Sequence, residues 1–372
     1  MRFLTGGESH GPALTAIIEG LPAGLPLEPA QLDADLRRRQ VGYGRGGRMQ
    51  IEHDHAEILG GCWRGQTTGA PLVLQIANRD WVNWQGRELP AVTVPRPGHA
   101  DFAGARKYGF DDARPILERA SARETAARVA VGAVARALLA QFDIAVGSYV
   151  EQIGPARADI PNLPLKELWA RAEDSDVRCP DAAGAQRMRE AIDAARAAGD
   201  SLGGILALGA CGLPIGLGSH VHWERRLDAR LAAAVMSVPA IKGVEIGPAF
   251  ENATLPGTAV HDELFVDEAG RPTRRTNRAG GLEGGMTNGA DLLLRAAMKP
   301  IPTTLTQRRS VDLRTGRPAE TEYQRSDVCA APAAAVVCEA MVAWVLADAL
   351  VEKLGGDSLA EMRRAYAGLA SR

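Results

Sequence analysis

The sequence is poor in aromatic residues and nearly neutral overall, and both features argue against particular classes of partner. Phe, Trp and Tyr make up 5% of the 372 residues, too few for a surface on which nucleic-acid bases stack. The formal net charge is −2, so no overall positive field draws the chain to nucleic acid or to an anionic membrane. We therefore expect no nucleic-acid partner and no membrane partner.

Cysteine is also scarce. The five cysteines are scattered and form no C-x-x-C pair, which favours reduced thiols in the cytoplasm. Two histidine pairs, "HDH" at 53–55 and "HVH" at 220–222, have no third ligand nearby in sequence. We therefore expect no metal site.

Signal-peptide blocks are lacking at the N-terminus, which again favours a cytoplasmic protein. The longest apolar run, 328–346, is mostly alanine and is interrupted by Pro332 and Glu339. A bilayer-spanning helix needs about 20 predominantly apolar residues. The interrupted run fits a buried helix of a large protein better.

What the sequence does have is 41 glycines, which separate short apolar runs. This pattern predicts strands bounded by turns. The predicted strands cover 70–76, 204–210 and 243–247, and the predicted helices cover 29–39, 121–142, 185–199 and 333–354. Because no proline- or serine-rich linker divides the chain, we expect a single α+β domain over residues 1–372.

The helix predicted over 121–142 carries the most local detail. Ser121 and Glu124 have capping-box spacing, so we expect the helix to begin at Ser121. Its predicted buried face runs through Val129, Ala133, Ala137 and Ala140. Similar arginine-containing stretches, 118–123 and 324–327, precede this helix and the helix at 333–354. The similarity hints at an internal duplication.

Arginine and glycine are concentrated in "RRRQVGYGRGGRMQIEHD" (37–54). Guanidinium groups match phosphate and carboxylate geometry, and glycines allow a close backbone approach. This segment therefore predicts an anion site. A solvated basic loop and a short RNA-binding segment are the alternatives.

Two histidines lie in glycine- and proline-rich segments, His10 in "TGGESHGPAL" (5–14) and His99 in "VPRPGHADFAGARKYG" (94–109). Each is either a titratable group beside a ligand or an ordinary structural histidine. The start of the helix at Ser121 could likewise bind an anion or be a plain cap. Further glycine-rich and arginine-containing segments occupy 277–304 and 324–334.

Seven segments together resemble the chorismate synthase family, in that family's order and over nearly the whole chain. They are "GESHGPALTAIIEGLPAG" (7–24), "GYGRGGRMQIEHD" (42–54), "RPGHAD" (96–101), "LERASARETAARVAVGA" (117–133), "GGLEGGMTNG" (280–289), "MKPIPT" (298–303) and "RSDVCAAPAA" (325–334).

The resemblance implies an anti 1,4-elimination of phosphate from 5-enolpyruvylshikimate 3-phosphate to give chorismate, in the shikimate pathway. It implies reduced FMN as cofactor, used without net redox change and supplied by external NAD(P)H-dependent flavin reduction. The implied fold is a β-α-β layered sandwich with an internal pseudo-repeat, in which antiparallel sheets surround central alanine-rich helices. The implied assembly is a cytoplasmic homotetramer.

The resemblance also implies residue roles. His10 would be the general acid toward the leaving phosphate, His99 would protonate or stabilise the flavin, and Asp327 would relay the final proton. The implied substrate-binding residues are Arg39, Arg45, Arg48, Arg123 and Arg325. The implied flavin-binding residues are Arg119, Ala120, Ser121, Pro239, Ala240, Gly284, Lys299, Pro300, Ile301, Pro302, Thr303 and Arg325.

Two positions depart from the family pattern. Ala120 stands where a serine is common, which removes one expected hydroxyl contact to the flavin, and Pro239 stands where asparagine is frequent. A flavin-dependent oxidoreductase on the same scaffold is the alternative function, although the sequence has no dinucleotide fingerprint for a hydride donor.

Overall fold

A computed structural model describes residues 1–46, 53–322 and 327–369. Its helices are α1 (Pro29–Gln40), α2 (Asp101–Tyr108), α3 (Arg114–Ala120), α4 (Thr125–Ala140), α5 (Leu165–Glu173), α6 (Ala182–Ala197), α7 (Leu227–Met236), α8 (Ala249–Asn252), α9 (Gly257–Val260), α10 (Ala331–Leu354) and α11 (Leu359–Ala367).

The strands fall into two larger sheets and four short hairpins. They are β1 (Arg2–Gly6), β2 (Ala13–Glu19), β3 (Ala56–Gly60), β4 (Cys62–Trp63), β5 (Gln66–Thr67), β6 (Leu72–Ala77), β7 (Ala145–Ile153), β8 (Ala156–Arg157), β9 (Gly204–Cys211), β10 (Ile241–Ile246), β11 (Leu264–Val266), β12 (Pro272–Arg274), β13 (Leu282–Glu283), β14 (Met286–Thr287), β15 (Leu292–Met298), β16 (Arg309–Val311) and β17 (Pro318–Glu320).

Both larger sheets are antiparallel throughout. The first has the order β1-β2-β6-β3 and the second has the order β10-β15-β9-β7-β8. Helix α4 packs on β1, β2 and β6 of the first sheet, and α10 packs on β7 and β9 of the second. The mixed α+β class with antiparallel sheets is therefore confirmed.

Helices α4 and α10 form the most extensive contact between elements in the part of the chain that the structure describes. Their backbones come close because small residues face each other: a Cβ added to Gly132 would lie 2.3 Å from the Cβ of Ala340. Helix α10 is long and apolar enough to cross a bilayer, but it is mostly buried inside the protein. The predicted buried helix is thus confirmed, beginning two residues earlier than expected.

The prediction for the start of α4 is wrong. Ser121 follows the last residue of α3, and its hydroxyl accepts a hydrogen bond from the backbone N–H of Arg123, within a 3-10 turn over Ala122–Glu124. The carboxylate of Glu124 instead binds Thr5 and Arg128, so no capping box forms and α4 begins at Thr125. Because α4 begins at Thr125, Arg123 lies in the 3-10 turn before it, where its side chain is buried.

The predicted buried face of α4 is also too narrow. Val129 and Ala133 are buried, but Ala137 is half-buried and Ala140 is exposed. Nearly every residue from 126 to 135 is buried, because α4 has the first sheet on one side and α10 on another. A helix enclosed by several layers loses the one-sided pattern from which its buried face was predicted.

Candidate active site

His10 lies in the six-residue connection between β1 and β2, where a distant glutamate holds it. The His10 backbone N–H donates to Oε2 of Glu118, and the ring Nδ1 lies 2.8 Å from Oε1. On another side of the imidazole, the centroid of the Trp84 indole is 4.3 Å away. The glycine-rich loop is therefore ordered by contacts with α3 and the 79–83 turn, and it is not a frayed terminus.

Ser121 joins this loop to the end of α3. Its hydroxyl donates to the hydroxyl of Ser9 at 3.0 Å, and the Ser9 backbone N–H donates to the Glu118 carbonyl. Arg119 donates to the backbone and hydroxyl oxygens of Thr5 in β1. The segment 119–121 thus lies beside the His10 loop.

Two buried guanidinium groups share one carboxylate deeper in the fold. Arg39, in the last turn of α1, donates to Oδ2 of Asp54 at 2.9 Å, and Arg123 donates to Oδ1 at 2.6 Å. All three side chains are at most 5% exposed. We call Arg39, Arg123 and Asp54, together with Arg45 and Asp327 described next, the anion cluster.

Arg45 and Asp327 extend this cluster toward the start of α10. An Arg45 guanidinium nitrogen lies 3.0 Å from Oδ2 of Asp327, and the backbone N–H of Gly46 donates to Oδ1. The structure therefore pairs Asp327 with Arg45. The remaining predicted partners, Arg48 and Arg325, lie outside the described residues.

The electrostatics of the cluster are cationic. Burial lowers the pKa of the Arg39 guanidinium, as do the positive charges of Arg45 and Arg123, despite the opposing attraction of Asp54. Burial alone would raise the pKa of Asp54, but Arg39 and Arg123 outweigh it and hold that pKa below its ordinary value. Among the described residues of the cluster, three guanidinium groups thus face two carboxylates, an arrangement that favours an added anion.

His99 belongs to a second pair, just before α2. Its ring Nδ1 contacts Oδ1 of Asp101, whose Oδ2 accepts a hydrogen bond from Arg96 Nε at 2.8 Å. Burial would raise the pKa of Asp101, but the hydrogen bonds from His99 and Arg96 outweigh it and lower the pKa well below its ordinary value. Both predicted histidines are therefore held at Nδ1 by an ionised carboxylate.

Residues 299–303 lie against the His99 loop. A Cβ added to Gly98 would be 3.5 Å from the Pro302 Cβ and 3.8 Å from the Lys299 Nζ. The Lys299 backbone N–H donates to Ala240, and the Ile301 carbonyl accepts from a serine hydroxyl. The predicted flavin-binding segments thus form two groups: 119–121 lies beside the His10 loop, and Ala240, Lys299 and Pro302 lie together near the His99 loop.

Within one chain, Gly284 lies far from Lys299. It lies at the tip of the β13–β14 hairpin, which joins β15 at Leu292, whereas Lys299 follows the opposite end of that strand. A seven-residue strand spans about 20 Å. The residues of the hairpin next to Gly284 line a separate cleft of about 800 Å³.

The structure also corrects the expectation for the arginine run at 37–39. Arg38, adjacent to Arg39, does not join the anion cluster but donates to both oxygens of buried Glu339. Arg37 is exposed. Because successive helical residues are about 100° apart, three consecutive arginines of α1 face three environments.

Four residues that act on the predicted site residues, three by contact and one through its charge, were not found from the sequence. Asp54, Glu118 and Asp101 are the carboxylates that hold the arginines and histidines. Burial lowers the pKa of Lys299 most, and the positive charge of Lys242 lowers it further. Asp54 and Asp101 stand inside quoted motifs, so a search for carboxylates beside the arginines and histidines could have suggested them. Glu118 is 108 residues from His10, and no local pattern joins them.

Taken together, these groups have the composition of an enzyme site: guanidinium groups of the kind that bind anions, and histidines oriented by carboxylates, which can transfer protons. The family pattern of chorismate synthase matches residues 1–351. The chain therefore belongs to the chorismate synthase family.

Individual relatives agree over the full length. The chain is 55% identical to chorismate synthase of Geobacter sulfurreducens, covering 99% of this chain and 98% of that protein. It is 56% identical to chorismate synthase of Trichlorobacter lovleyi, covering 98% and 97% respectively. A crystal structure of chorismate synthase superposes with a TM-score of 0.82 at 43% identity, covering 100% of this chain and 97% of the other. The chain is thus a lyase with chorismate synthase activity, in aromatic amino-acid biosynthesis.

Proposed function

We propose that the chain eliminates phosphate from 5-enolpyruvylshikimate 3-phosphate in an anti 1,4 sense, with the anion cluster binding the substrate. The observation that carries the proposal is the excess of buried guanidinium groups around Asp54. The substrate carries two carboxylates and a phosphate, which bidentate guanidinium groups bind well. Arg39, Arg45 and Arg123 supply this binding, and we assign the same role to Arg48 and Arg325.

His10 acts as the general acid in this proposal. The carbon–oxygen bond to phosphate breaks, and the Nε2 proton of His10 passes to the departing phosphate oxygen. The contact between Nδ1 and Glu118 supports this assignment because it leaves Nε2 as the ring nitrogen available to the substrate. Proton transfer by a positioned group contributes about 10²- to 10⁴-fold to a rate.

The residues beside His99 fit reduced FMN. Lys299 and Lys242 form no ion pair with a carboxylate in the described part of the chain. Burial and the positive charge of Lys242 lower the pKa of Lys299. A phosphate or a reduced flavin ring would neutralise both lysines. Ala240 has φ +68°, an unusual conformation for a residue with a Cβ and one that recurs at ligand sites.

We assign cofactor binding to Arg119, Ala120, Ser121, Pro239, Ala240, Gly284, Lys299, Pro300, Ile301, Pro302, Thr303 and Arg325. Reduced FMN, when bound, supplies electron density to the substrate as phosphate leaves. His99, held by Asp101, keeps a proton at Nε2 toward the cofactor, and Asp327 accepts the proton lost by the substrate. Ala120 offers no hydroxyl, so Ser121 provides the hydroxyl of this segment.

We further propose a cytoplasmic homotetramer that receives reduced FMN from separate NAD(P)H-dependent reductases. The position of Gly284 supports an oligomer, because a residue about 20 Å along β15 from Lys299 contacts a flavin more readily in a neighbouring protomer. Gel filtration with light scattering tests the assembly.

The finer fold proposal is a layered sandwich with an internal pseudo-repeat over one domain, residues 1–372. The order β1-β2-β6-β3 in one sheet parallels β7-β9-β15-β10 in the other. The hydroxyls of Thr67 and Thr287 donate to the carbonyls of Pro22 and Pro214, both at 2.6 Å, each within a G-L-P-x-G-L segment. Two equivalent units, each with one sheet on a central helix, account for both observations.

The test is phosphate release under anaerobic conditions with reduced FMN in catalytic amounts. We expect many turnovers without stoichiometric flavin oxidation, and a loss of about 10²- to 10⁴-fold in rate for His10→Ala and for His99→Ala. Flavin oxidised in proportion to product would contradict the elimination. Turnover of His10→Ala close to that of the native enzyme would remove His10 from the proton transfer.

A further inference from the structure

The connection between β1 and β2 depends on one side chain from far away in the sequence. Glu118, near the end of α3, is 8% exposed. Its two oxygens receive the His10 backbone N–H at 2.8 Å and contact the ring Nδ1 at 2.8 and 3.0 Å. Glu118 is therefore the group that fixes both the backbone and the ring of His10.

The ionisation of Glu118 determines which ring nitrogen carries hydrogen. Burial would raise the pKa of this carboxyl, but the hydrogen bonds from the His10 ring and backbone, with the nearby charges of His10 and Arg114, outweigh burial and lower it. An ionised carboxylate only accepts hydrogen bonds. Nδ1 must therefore be the donor, and Nε2 is the nitrogen left for chemistry.

We propose that Glu118 is a positioning residue for the proton transfer by His10, and this inference rests on the role proposed for His10 above. Glu118 holds the doubly protonated imidazole before the transfer and the Nδ1–H tautomer after it. Trp84 packs on the ring and limits its rotation. A ring held in one orientation and one tautomer presents its Nε2 proton without a prior rearrangement.

A purely structural role makes a different prediction, because the backbone contact between the loop and α3 does not need the carboxylate. The Ser9 backbone N–H donates to the Glu118 carbonyl, a contact that survives any substitution at 118. In Glu118→Gln, the amide oxygen can still accept the His10 backbone N–H. The amide NH₂ then faces Nδ1 and can only donate, so it selects a bare Nδ1.

The chain offers a matched control, a second carboxylate with the same two contacts. Asp33 accepts the backbone N–H of Ala56 at 3.0 Å and contacts Nδ1 of His55. This pair lies at the surface, with the His55 side chain 56% exposed, and has no role in the proposed site. Asp33→Asn therefore removes a carboxylate–histidine pair without touching His10.

The experiment measures kcat, KM and the ring tautomer for the two variants as holoenzymes. For Glu118→Gln we expect kcat to fall by about 10²- to 10⁴-fold, the upper end being the loss seen when the carboxylate that orients a catalytic histidine is neutralised. KM for substrate is expected to change much less than kcat. Nitrogen-15 NMR of histidine-labelled protein is expected to show Nδ1 of His10 protonated in the native enzyme and bare in Glu118→Gln. Asp33→Asn retains native kinetics.

The double variant His10→Ala, Glu118→Gln is expected to be no slower than His10→Ala, because Glu118 acts only through His10. The inference would be overturned by a native kcat in Glu118→Gln, or by a change confined to KM. It would also be overturned by an Nε2–H tautomer in the native enzyme, by additive losses in the double variant, or by an equal loss in Asp33→Asn. If His10→Ala itself remains active, the proposed role of His10 fails first. If His10→Ala is inactive and Glu118→Gln is active, only the inference about Glu118 fails.

Discussion

Two neighbouring arginines of helix α1 enter two clusters of opposite character. Arg39 belongs to the anion cluster, whereas Arg38 belongs to a set that we call the core ion network: Arg38, Arg136, Arg178, Asp35, Glu173 and Glu339. The core ion network has three guanidinium groups and three carboxylates. The anion cluster has three guanidinium groups and two carboxylates.

Glu339 is the centre of the core ion network. Its two oxygens accept hydrogen bonds from Arg38 at 2.8 and 2.9 Å and from Arg136 at 2.6 Å, and the Ser148 hydroxyl donates to it at 2.7 Å. Although burial would raise the pKa of Glu339, the arginines outweigh it and lower that pKa. This carboxylate is saturated with donors, so the network has no place for a ligand.

The anion cluster is also largely buried, but its described residues include one more guanidinium group than carboxylates. Asp54 is shared between Arg39 and Arg123, and Arg39 Nε has no hydrogen-bond partner among the described residues. A cation without its full set of acceptors is costly to bury. Arg178 Nε in the core ion network also has no hydrogen-bond partner among the described residues. The comparison therefore teaches that burial, ion pairing and a single unpartnered donor do not distinguish a binding site from a structural network, whereas the balance of charge among the described residues does.

The largest expected effect is a loss of stability on substitution in the core ion network. Glu339→Ala leaves three arginines without their common partner, and we expect the free energy of unfolding to fall by about 3–5 kcal/mol. Urea denaturation measures this fall, and kcat of the folded fraction is expected to be unchanged. The control is Glu352→Ala, which removes a surface partner of Arg225 and Arg230 and is expected to cost less than about 1 kcal/mol. Equal losses in the two variants would show that the buried network has no special weight.

The next largest expected effect is a loss of catalysis on substitution in the anion cluster. Arg39→Ala is expected to lower kcat/KM about 100-fold, or about 2.7 kcal/mol of transition-state binding at 1.36 kcal/mol per tenfold. We expect a smaller loss of stability than in Glu339→Ala, because Arg45 and Arg123 no longer repel a third buried cation. Steady-state kinetics and urea denaturation of the same preparation measure both quantities. Arg37→Ala, at the exposed neighbour, is the control with native kinetics, and a native kcat/KM in Arg39→Ala would move the substrate away from this cluster.

The division between Arg38 and Arg39 also shows where sequence reasoning stops. The resemblance to the chorismate synthase family, and not a local pattern, selected Arg39, Arg45 and Arg123, whereas the helical period placed α1 over nearly its observed length. The partners of these arginines are distant: Arg38 and Glu339 are 301 residues apart, and Arg123 and Asp54 are 69 apart. Local patterns report which face of an element is apolar, but they do not report which element covers it.

The same limit explains the correction at α4. Ser121 and Glu124 have the spacing of a capping box, but their side chains bind Ser9 and Thr5 of the first strand region. Tertiary partners compete with local ones for a small number of donors and acceptors. The sequence pattern thus predicted the existence of the helix correctly and its first residue incorrectly.

The smallest expected effect is a pH dependence of stability that arises from Glu173 in the core ion network. Burial would raise the pKa of Glu173, but hydrogen bonds from Arg38 and Arg178 outweigh it and lower the pKa to about 2 from an ordinary 4.5. Because the folded-state pKa is depressed, this stabilisation is fully present above about pH 4.5 and is lost as the pH falls toward 2. We therefore expect the urea midpoint of the native enzyme to exceed that of Glu173→Gln at pH 7.

The two midpoints are expected to converge as the pH falls from about 4.5 toward 2, since protonated Glu173 and glutamine carry the same charge. The side chain is 37% exposed, so solvent screens the effect and the difference at pH 7 is small. A difference that persists unchanged at pH 3 would mean that Glu173 acts through packing rather than charge. In that case the core ion network is stabilised mainly by Glu339, and its charge balance is less important than the saturation of that single carboxylate.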